Sequence, residues 1–319
     1  GRIDNYPLPD KLVGHLEAMK TETPSQLVPL IERHGLTWEQ VPTWALKDSK
    51  VWEVLLPNLG MTALLRNLST LTEVGVVKPL GRHTSDIADR LRDAVLIREE
   101  RLHPYTILNA LAVYKFGHSV EGKRQWTPVQ PIIDALDEAF YHGFGNVEAT
   151  GKRHLLALDV SGSMATSHIG GVLSAREASA AMAMVTAKTE TQHHFVGFSD
   201  TIVDLEISPR MALPDVERVI SGLPFRTTDC AAPMMHALNK GLEVDVFVVY
   251  TDNETYQGNI HASEALKMYR KATGIPAKLI VAGMTSTGFT IADPNDAGMF
   301  DIVGFDSNAV SLMSDFVRA

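Results

Sequence analysis

The chain has 319 residues, 45% of them apolar, with 29 Lys/Arg against 38 Asp/Glu and a formal net charge of −9. That length allows one to three domains with a full core, and the acidic balance argues against indiscriminate nucleic-acid binding while leaving room for a local basic patch. The single cysteine, Cys230, rules out an intrachain disulfide and fits a reducing, cytoplasmic setting, and no apolar run approaches the roughly 18 residues that span a membrane.

The first half is helical in pattern. Asp10 to Met19 carries Leu12, Val13, Leu16 and Met19 on one helical face. Ser25 to Arg33 repeats this, with Gly35 as a C-terminal cap. Thr62 to Val74 reads as a helix ended by Gly75. Ser85 to Arg98 follows, with Thr84-Ser85 as its start signal. Pro104 to Phe116 and Pro131 to Phe140 are two more. Short helices joined by short loops predict antiparallel pairs, as in an α-helical repeat or HEAT-like solenoid.

Near residue 150 the pattern changes. His154 to Leu158 is a short apolar run and predicts a buried parallel strand. A helix near 172–188 follows, rich in Ala and Met. Phe195–Phe198 and Ile202–Leu205 read as a strand pair. Helices near 213–222 and 231–240, a strand at 245–250, a helix near 261–272 and a strand at 278–282 come next. A strand near 301–304 and a helix near 308–317 close the chain. Alternating strand and helix implies a mainly parallel sheet, an α/β Rossmann-like domain. The division is therefore a helical segment at 1–150 and an α/β domain at 151–319, with strands 154–158 and 245–250 adjacent at the centre.

The sequence leaves the first strand as Asp159-Val160-Ser161-Gly162-Ser163. Alternate residues of an extended segment point the same way. Asp159, Ser161 and Ser163 can then converge beyond the strand's C-terminal end, where open α/β sheets place ligands. One carboxylate and two hydroxyls suit a hard cation such as Mg²⁺. Thr227-Thr228-Asp229 lies in a later loop, and Thr251-Asp252-Asn253-Glu254 follows the strand at 245–250. The combination resembles the metal-ion-dependent adhesion site of von Willebrand factor A domains. The resemblance implies that Ser161, Ser163 and Thr228 bind the ion, with Asp159 and Asp252 bound directly or through water. A water or a partner's carboxylate would complete the shell, and Glu254 could support it.

The whole chain resembles the Ro (SS-A) ribonucleoprotein autoantigen family, in which a helical-repeat TROVE module precedes a von Willebrand A domain. Thr62 to Leu68, Arg101-Leu102-His103-Pro104 and Gly151 to Ser161 carry the likeness, with Thr228-Asp229-Cys230, Thr251 to Thr255 and Gly283 to Pro294 downstream. The helical part here is about half the family's module, so the resemblance implies that the N-terminal part of that module is missing. A start at Gly1 rather than Met fits a processed or excised chain. The family tends to place glycines before Thr228, where this chain has Arg226-Thr227.

What the resemblance implies is RNA binding without catalysis. The partners would be small structured Y-like RNAs and single-stranded ends of misfolded noncoding RNA, with an exoribonuclease tethered through RNA. Between Arg66 and Arg124 there are ten Lys/Arg against seven Asp/Glu, a local excess of positive charge. Arg66, Arg101, Lys115, His118, Lys123 and Arg124 are the candidate phosphate contacts, and Tyr114 and Trp126 are available to stack on bases. A second function class is a metal-dependent protein-adhesion or docking module acting as an assembly scaffold. A third, a Mg²⁺-dependent phosphotransferase, lacks an Asp-x-Asp nucleophile, a Walker motif or an evident general base. His193-His194 opens a strand and is weighed as a metal pair. Cys230 reads as packing.

Overall fold

The computed structural model describes residues 8–169, 171–223, 227–252, 258–286, 290–304 and 307–319, the first two of the last segment by backbone alone. The chain divides into two compact units, residues 8–102 with 107–143, and residues 103–106 with 144–319.

The helical unit runs α1 (Asp10–Ala18), α2 (Pro24–His34), α3 (Ser49–Leu55), α4 (Met61–Glu73), α5 (Arg82–Arg92), α6 (Ala94–Glu99), α7 (Pro104–Phe116) and α8 (Gln130–His142). Helix α1 packs on α2, α2 on α3, and α5 on α8. Gly35 ends α2 in the left-handed conformation, at φ 58°, as its place in the sequence predicts. Gly14 has a different reason. A Cβ there would lie 2.5 Å from the side chain of His34, so α1 and α2 approach too closely for any other residue. His34 also holds Asp10 of α1 at 2.9 Å.

Two local readings change. The predicted single helix from Ser85 to Arg98 is two. Asp93 leaves the helical region and its carboxylate accepts from the backbone N–H groups of Val95 and Leu96, starting α6. Thr84 is not a cap but lies inside α5, where its hydroxyl donates to the Lys78 carbonyl at 2.7 Å. Helix α3, around the buried Trp52, has too short a period to be legible from sequence.

The second unit holds a six-stranded sheet of β1 (His154–Asp159), β4 (His193–Phe198), β5 (Ile202–Asp204), β6 (Val246–Thr251), β7 (Lys278–Gly283) and β8 (Met299–Val303), in the order β5-β4-β1-β6-β7-β8. All neighbours are parallel except β4 and β5. A separate small hairpin joins β2 (His168–Ile169) to β3 (Leu173–Ser174). The helices are α9 (Ser163–Thr166), α10 (Ala175–Thr189), α11 (Leu213–Ser221), α12 (Ala232–Lys240), α13 (Ala262–Thr273) and α14 (Ser307–Arg318). Every residue of β1 and β6 is buried, which explains their unbroken apolar runs. Leu155, Ala157, Phe247 and Val249 pack with Met234 and Ala237 of α12 and Leu266 and Tyr269 of α13.

Helix α10 is almost wholly buried, and its small Ala side chains suit that position. It begins later than its composition suggests because Ser174 and Glu177 form a reciprocal capping box. At its other end Glu190 is buried and accepts three hydrogen bonds, from Thr150 N at 2.6 Å, Thr150 Oγ1 at 2.8 Å and Gly151 N at 2.9 Å. These fix the chain just before it enters β1. Replacing Glu190 with Ala removes an acceptor from three donors at once. We expect Glu190→Ala to lower stability by about 2–3 kcal/mol, read from denaturant unfolding. A change smaller than about 0.5 kcal/mol would show that water replaces the carboxylate without cost.

Candidate functional site

Asp159 ends β1, and the two parallel neighbours of that strand bring the other groups to it. The register pairs Leu158 with Tyr250 and Asp159 with Phe198. Strand β6 therefore ends beside β1, with Thr251 and Asp252 next to Asp159. The carboxylate of Asp159 is fully buried. Its Oδ1 accepts from Ser161 N at 2.8 Å, and its Oδ2 accepts from Thr251 Oγ1 at 2.7 Å. The hydroxyls of Ser161 and Ser163 lie 3.0 Å apart. The alternation read from sequence thus does bring the two serine oxygens together.

Asp252 is 3% exposed, and its Oδ1 has no hydrogen-bond partner among the described residues. Thr228 is 3% exposed. Its loop is tied to the sheet by Asp229 N, which donates to the Ser199 carbonyl at 2.9 Å at the end of β4. The Asp229 carboxylate accepts from Ala231 N at 2.9 Å, turning the chain into α12. Glu254 and Arg226 lie outside the described residues.

Burial pushes the Asp159 carboxyl up to about 6. The hydrogen bonds from Ser161 and Thr251 oppose that rise, and the charge of Asp252 adds to it. Burial lowers the pKa of Arg176 of α10, and the charge of Asp159 opposes that fall. Its guanidinium donates to the Ser161 carbonyl at 3.4 Å. The sequence places Thr251 at the site without giving it a role, and Arg176 is not legible in it beyond the signal of a lone arginine opening an Ala-rich helix. Asp159, Ser161, Ser163, Thr251 and Asp252 form an oxygen-rich corner with one orphaned carboxylate oxygen, and two carboxylates with neighbouring hydroxyls can hold a hard divalent cation.

On the helical unit, Arg66, Arg101, Lys115, His118, Lys123 and Arg124 are all exposed. After α7 the chain makes a tight hairpin, with His118 bridged to Gln125 and Trp126 N donating to the Gly117 carbonyl at 2.9 Å. Arg124 reaches from this hairpin to α4, donating to Glu73 Oε2 at 2.7 Å and Thr70 Oγ1 at 2.8 Å. Arg66 lies one turn before Thr70 on that face. Arg66, Lys123 and Arg124 thus share a region, but the charge of Arg124 is already matched by Glu73. Arg101 sits apart, after α6, at φ 51°.

The two aromatics read as base-stacking platforms are core residues instead. Tyr114 is 1% exposed, and its hydroxyl meets Thr72 Oγ1 at 2.9 Å and Val129 N at 3.2 Å. Trp126 is 9% exposed and its indole N–H donates to the Tyr114 carbonyl at 2.8 Å. The exposed ring is Phe116, at 41%, with the His118 ring 3.9 Å away and tilted by 39°.

Both halves match known family patterns. The Ro60 vWA domain matches residues 153–317, and the TROVE domain matches residues 31–116. The chain belongs to the Ro60 family. It is 41% identical over 308 residues to the RNA-binding protein RO60 of Deinococcus radiodurans, covering 96% of this chain and 58% of that protein. The RNA-binding protein RO60 of Caenorhabditis elegans is 40% identical over 306 residues, covering 95% of this chain and 47% of that one. The crystal structure of the Deinococcus radiodurans Ro (RSR) protein superposes with a TM-score of 0.92 at 40% identity, over 100% of this chain and 64% of that one. The chain thus spans roughly half to two-thirds of the length of these Ro60 relatives.

The raised pKa of Asp159 has a testable sign. In EDTA the fold holds this proton more tightly than the unfolded chain does. The stabilisation from this group is complete below about pH 4 and is lost as pH rises through about 6. Asp159→Asn removes it. The stability difference between the two proteins, from denaturant unfolding in EDTA, is expected to move by up to about 3 kcal/mol in the variant's favour between pH 4 and pH 7. A difference independent of pH would mean that the carboxylate is solvated as in the unfolded chain.

Proposed function

We propose that this chain is a non-catalytic, RNA-binding component of a cytoplasmic Ro ribonucleoprotein. It binds Y-like small structured RNAs and single-stranded ends of misfolded noncoding RNAs for quality control, and an exoribonuclease joins through the RNA. The observation that carries this reading is the identity of about 40%, along nearly the whole chain, to two proteins named as RNA-binding. The residues of the helical unit support it. Arg66, Lys115, His118 and Lys123 present cationic or ionisable groups to solvent, as phosphate contacts require. Phe116, backed by His118, offers a face to a base. The segment 152–319 has 13 Lys/Arg against 19 Asp/Glu and is a poor match for a polyanion.

The same proposal gives the second unit a Mg²⁺ ion, held by Ser161, Ser163 and Thr228 with Asp159 and Asp252. The orphaned Oδ1 of Asp252 and the buried, destabilised carboxylate of Asp159 favour it. The ion, when bound, supplies positive charge to both carboxylates and an open position for a partner's Asp or Glu. This second function, protein docking, uses a different unit from RNA binding and coexists with it.

Two measurements test these roles on the intact chain. For RNA, the triple charge reversal Arg66→Glu, Lys115→Glu, Lys123→Glu should weaken binding of a small hairpin RNA with a single-stranded 3′ tail. The slope of log affinity against log salt should flatten by about 0.7–0.9 for each phosphate that the variant no longer neutralises, seen by fluorescence anisotropy. An unchanged affinity and slope would remove this surface from RNA binding.

For the ion, calorimetry should show Mg²⁺ binding that disappears in Asp252→Asn, while the far-ultraviolet circular dichroism stays that of the parent. Unchanged Mg²⁺ affinity in that variant would refute the ligand set.

A further inference from the structure

At the edge of the sheet, away from the carboxylate corner, three side chains from three elements converge. His194 lies near the start of β4, Asp204 ends β5, and His236 is on α12, which packs against both strands. Asp204 Oδ1 is 2.8 Å from His194 Nε2 and 3.0 Å from His236 Nε2. All three ligand atoms lie within 4.8 Å of one another. The His236 side chain is 8% exposed, while those of His194 and Asp204 are 44% and 49% exposed.

We propose that His194, Asp204 and His236 form a second metal site, for a zinc-class transition ion. The donor set is two imidazole nitrogens and one carboxylate oxygen. That is chemically unlike the all-oxygen corner at Asp159, and it favours Zn²⁺ over Mg²⁺. Zinc ligands stand about 2.1 Å from the ion, so tetrahedral donor atoms are about 3.4 Å apart. The two observed separations from Asp204, 2.8 and 3.0 Å, need to open by about half an ångström. The exposed side of His194 and Asp204 leaves the fourth position open to solvent or to a partner's side chain.

The same groups, without metal, form a hydrogen-bonded bridge in which each imidazole donates to one carboxylate oxygen. The hydrogen bond from His194, joined by that from His236, holds the Asp204 carboxyl below its usual range and keeps it anionic. This bridge preorganises the site, since the ligands already face one another before an ion arrives. Its place in the fold gives it a role. Strand β5 is only three residues long and pairs on one side, with β4. An ion bridging β4, β5 and α12 would pin this edge. The site is also separate from the carboxylate corner, because His194 and Phe198 are four residues, or about 13 Å, apart along β4.

The probe is the metal alone, on the intact chain stripped with EDTA. Co²⁺ reports nitrogen ligation and low coordination by intense visible absorption, and Zn²⁺ displaces it. We expect one Co²⁺ band that Zn²⁺ abolishes and that persists in Asp159→Asn, which disables the oxygen site. His194→Gln, a change at a half-exposed side chain, should lower Zn²⁺ affinity by more than about 100-fold, beyond the effect typical of groups that merely support a ligand. His236→Gln should do the same, with its fold checked by circular dichroism. No nitrogen-type band, or equal Zn²⁺ affinity in the parent and in His194→Gln, overturns the proposal.

Discussion

Two carboxylates leave the sheet where β1 and β6 end side by side, and protein surrounds both. That pairing is the constraint behind the whole site. The strands are parallel, so both point their C-terminal ends the same way. They are central, so their flanks are covered by further strands and their faces by helices. A carboxylate at such a place loses its water and must find donors within the protein. Asp159 finds two, in Ser161 N and Thr251 Oγ1, yet its pKa still rises. Asp252 adds negative charge and leaves one oxygen unmatched. The corner is under-compensated, and that is the property a cation site requires.

Much of this unit could be read from sequence because buried parallel strands announce themselves. The runs at 154–158 and 245–250 are continuous and apolar, and each ends in Asp or Thr-Asp. Alternation then placed Ser161 beside Ser163, and the structure keeps their oxygens 3.0 Å apart. Arg176 was not legible, since nothing in sequence says which face of an Ala-rich helix lies under a loop. The pair His194 and His236 was not legible either. They are 42 residues apart, and only the antiparallel turn of β5 and the packing of α12 bring Asp204 between them.

The helical unit shows the opposite case. Helix α7 is apolar nearly all round, so periodicity cannot say which aromatic faces out. Tyr114 and Phe116 are two residues apart, about 200° around the helix, so one must turn in if the other turns out. The hydrogen-bonding groups decide between them. Tyr114 has a hydroxyl that pairs with Thr72 and Val129, and its carbonyl, near the end of α7, is free of a helical partner and accepts the Trp126 indole. Phe116 has nothing to offer in the interior that Tyr114 does not, and it faces solvent. The exposed ring is therefore the one with no polar group of its own.

Arg124 shows why charge counts in sequence overstate a binding surface. Its guanidinium closes the 117–126 hairpin onto α4 through Glu73 and Thr70. An exposed pair of this kind is worth little to stability, yet it cancels much of the arginine's field at a phosphate. The excess over 66–124 is only three charges with Glu73 already counted, so the Arg124–Glu73 pair leaves the net unchanged and takes Arg124 out of the set free to meet a phosphate. What remains is carried by side chains with solvent around them, chiefly Arg66, Lys115 and Lys123. The positive potential of the unit then depends on a few long, mobile side chains rather than on a built pocket. For the proposed RNA partner, such a surface favours contacts to backbone charge and to one or two unstacked bases, with sequence left largely unread.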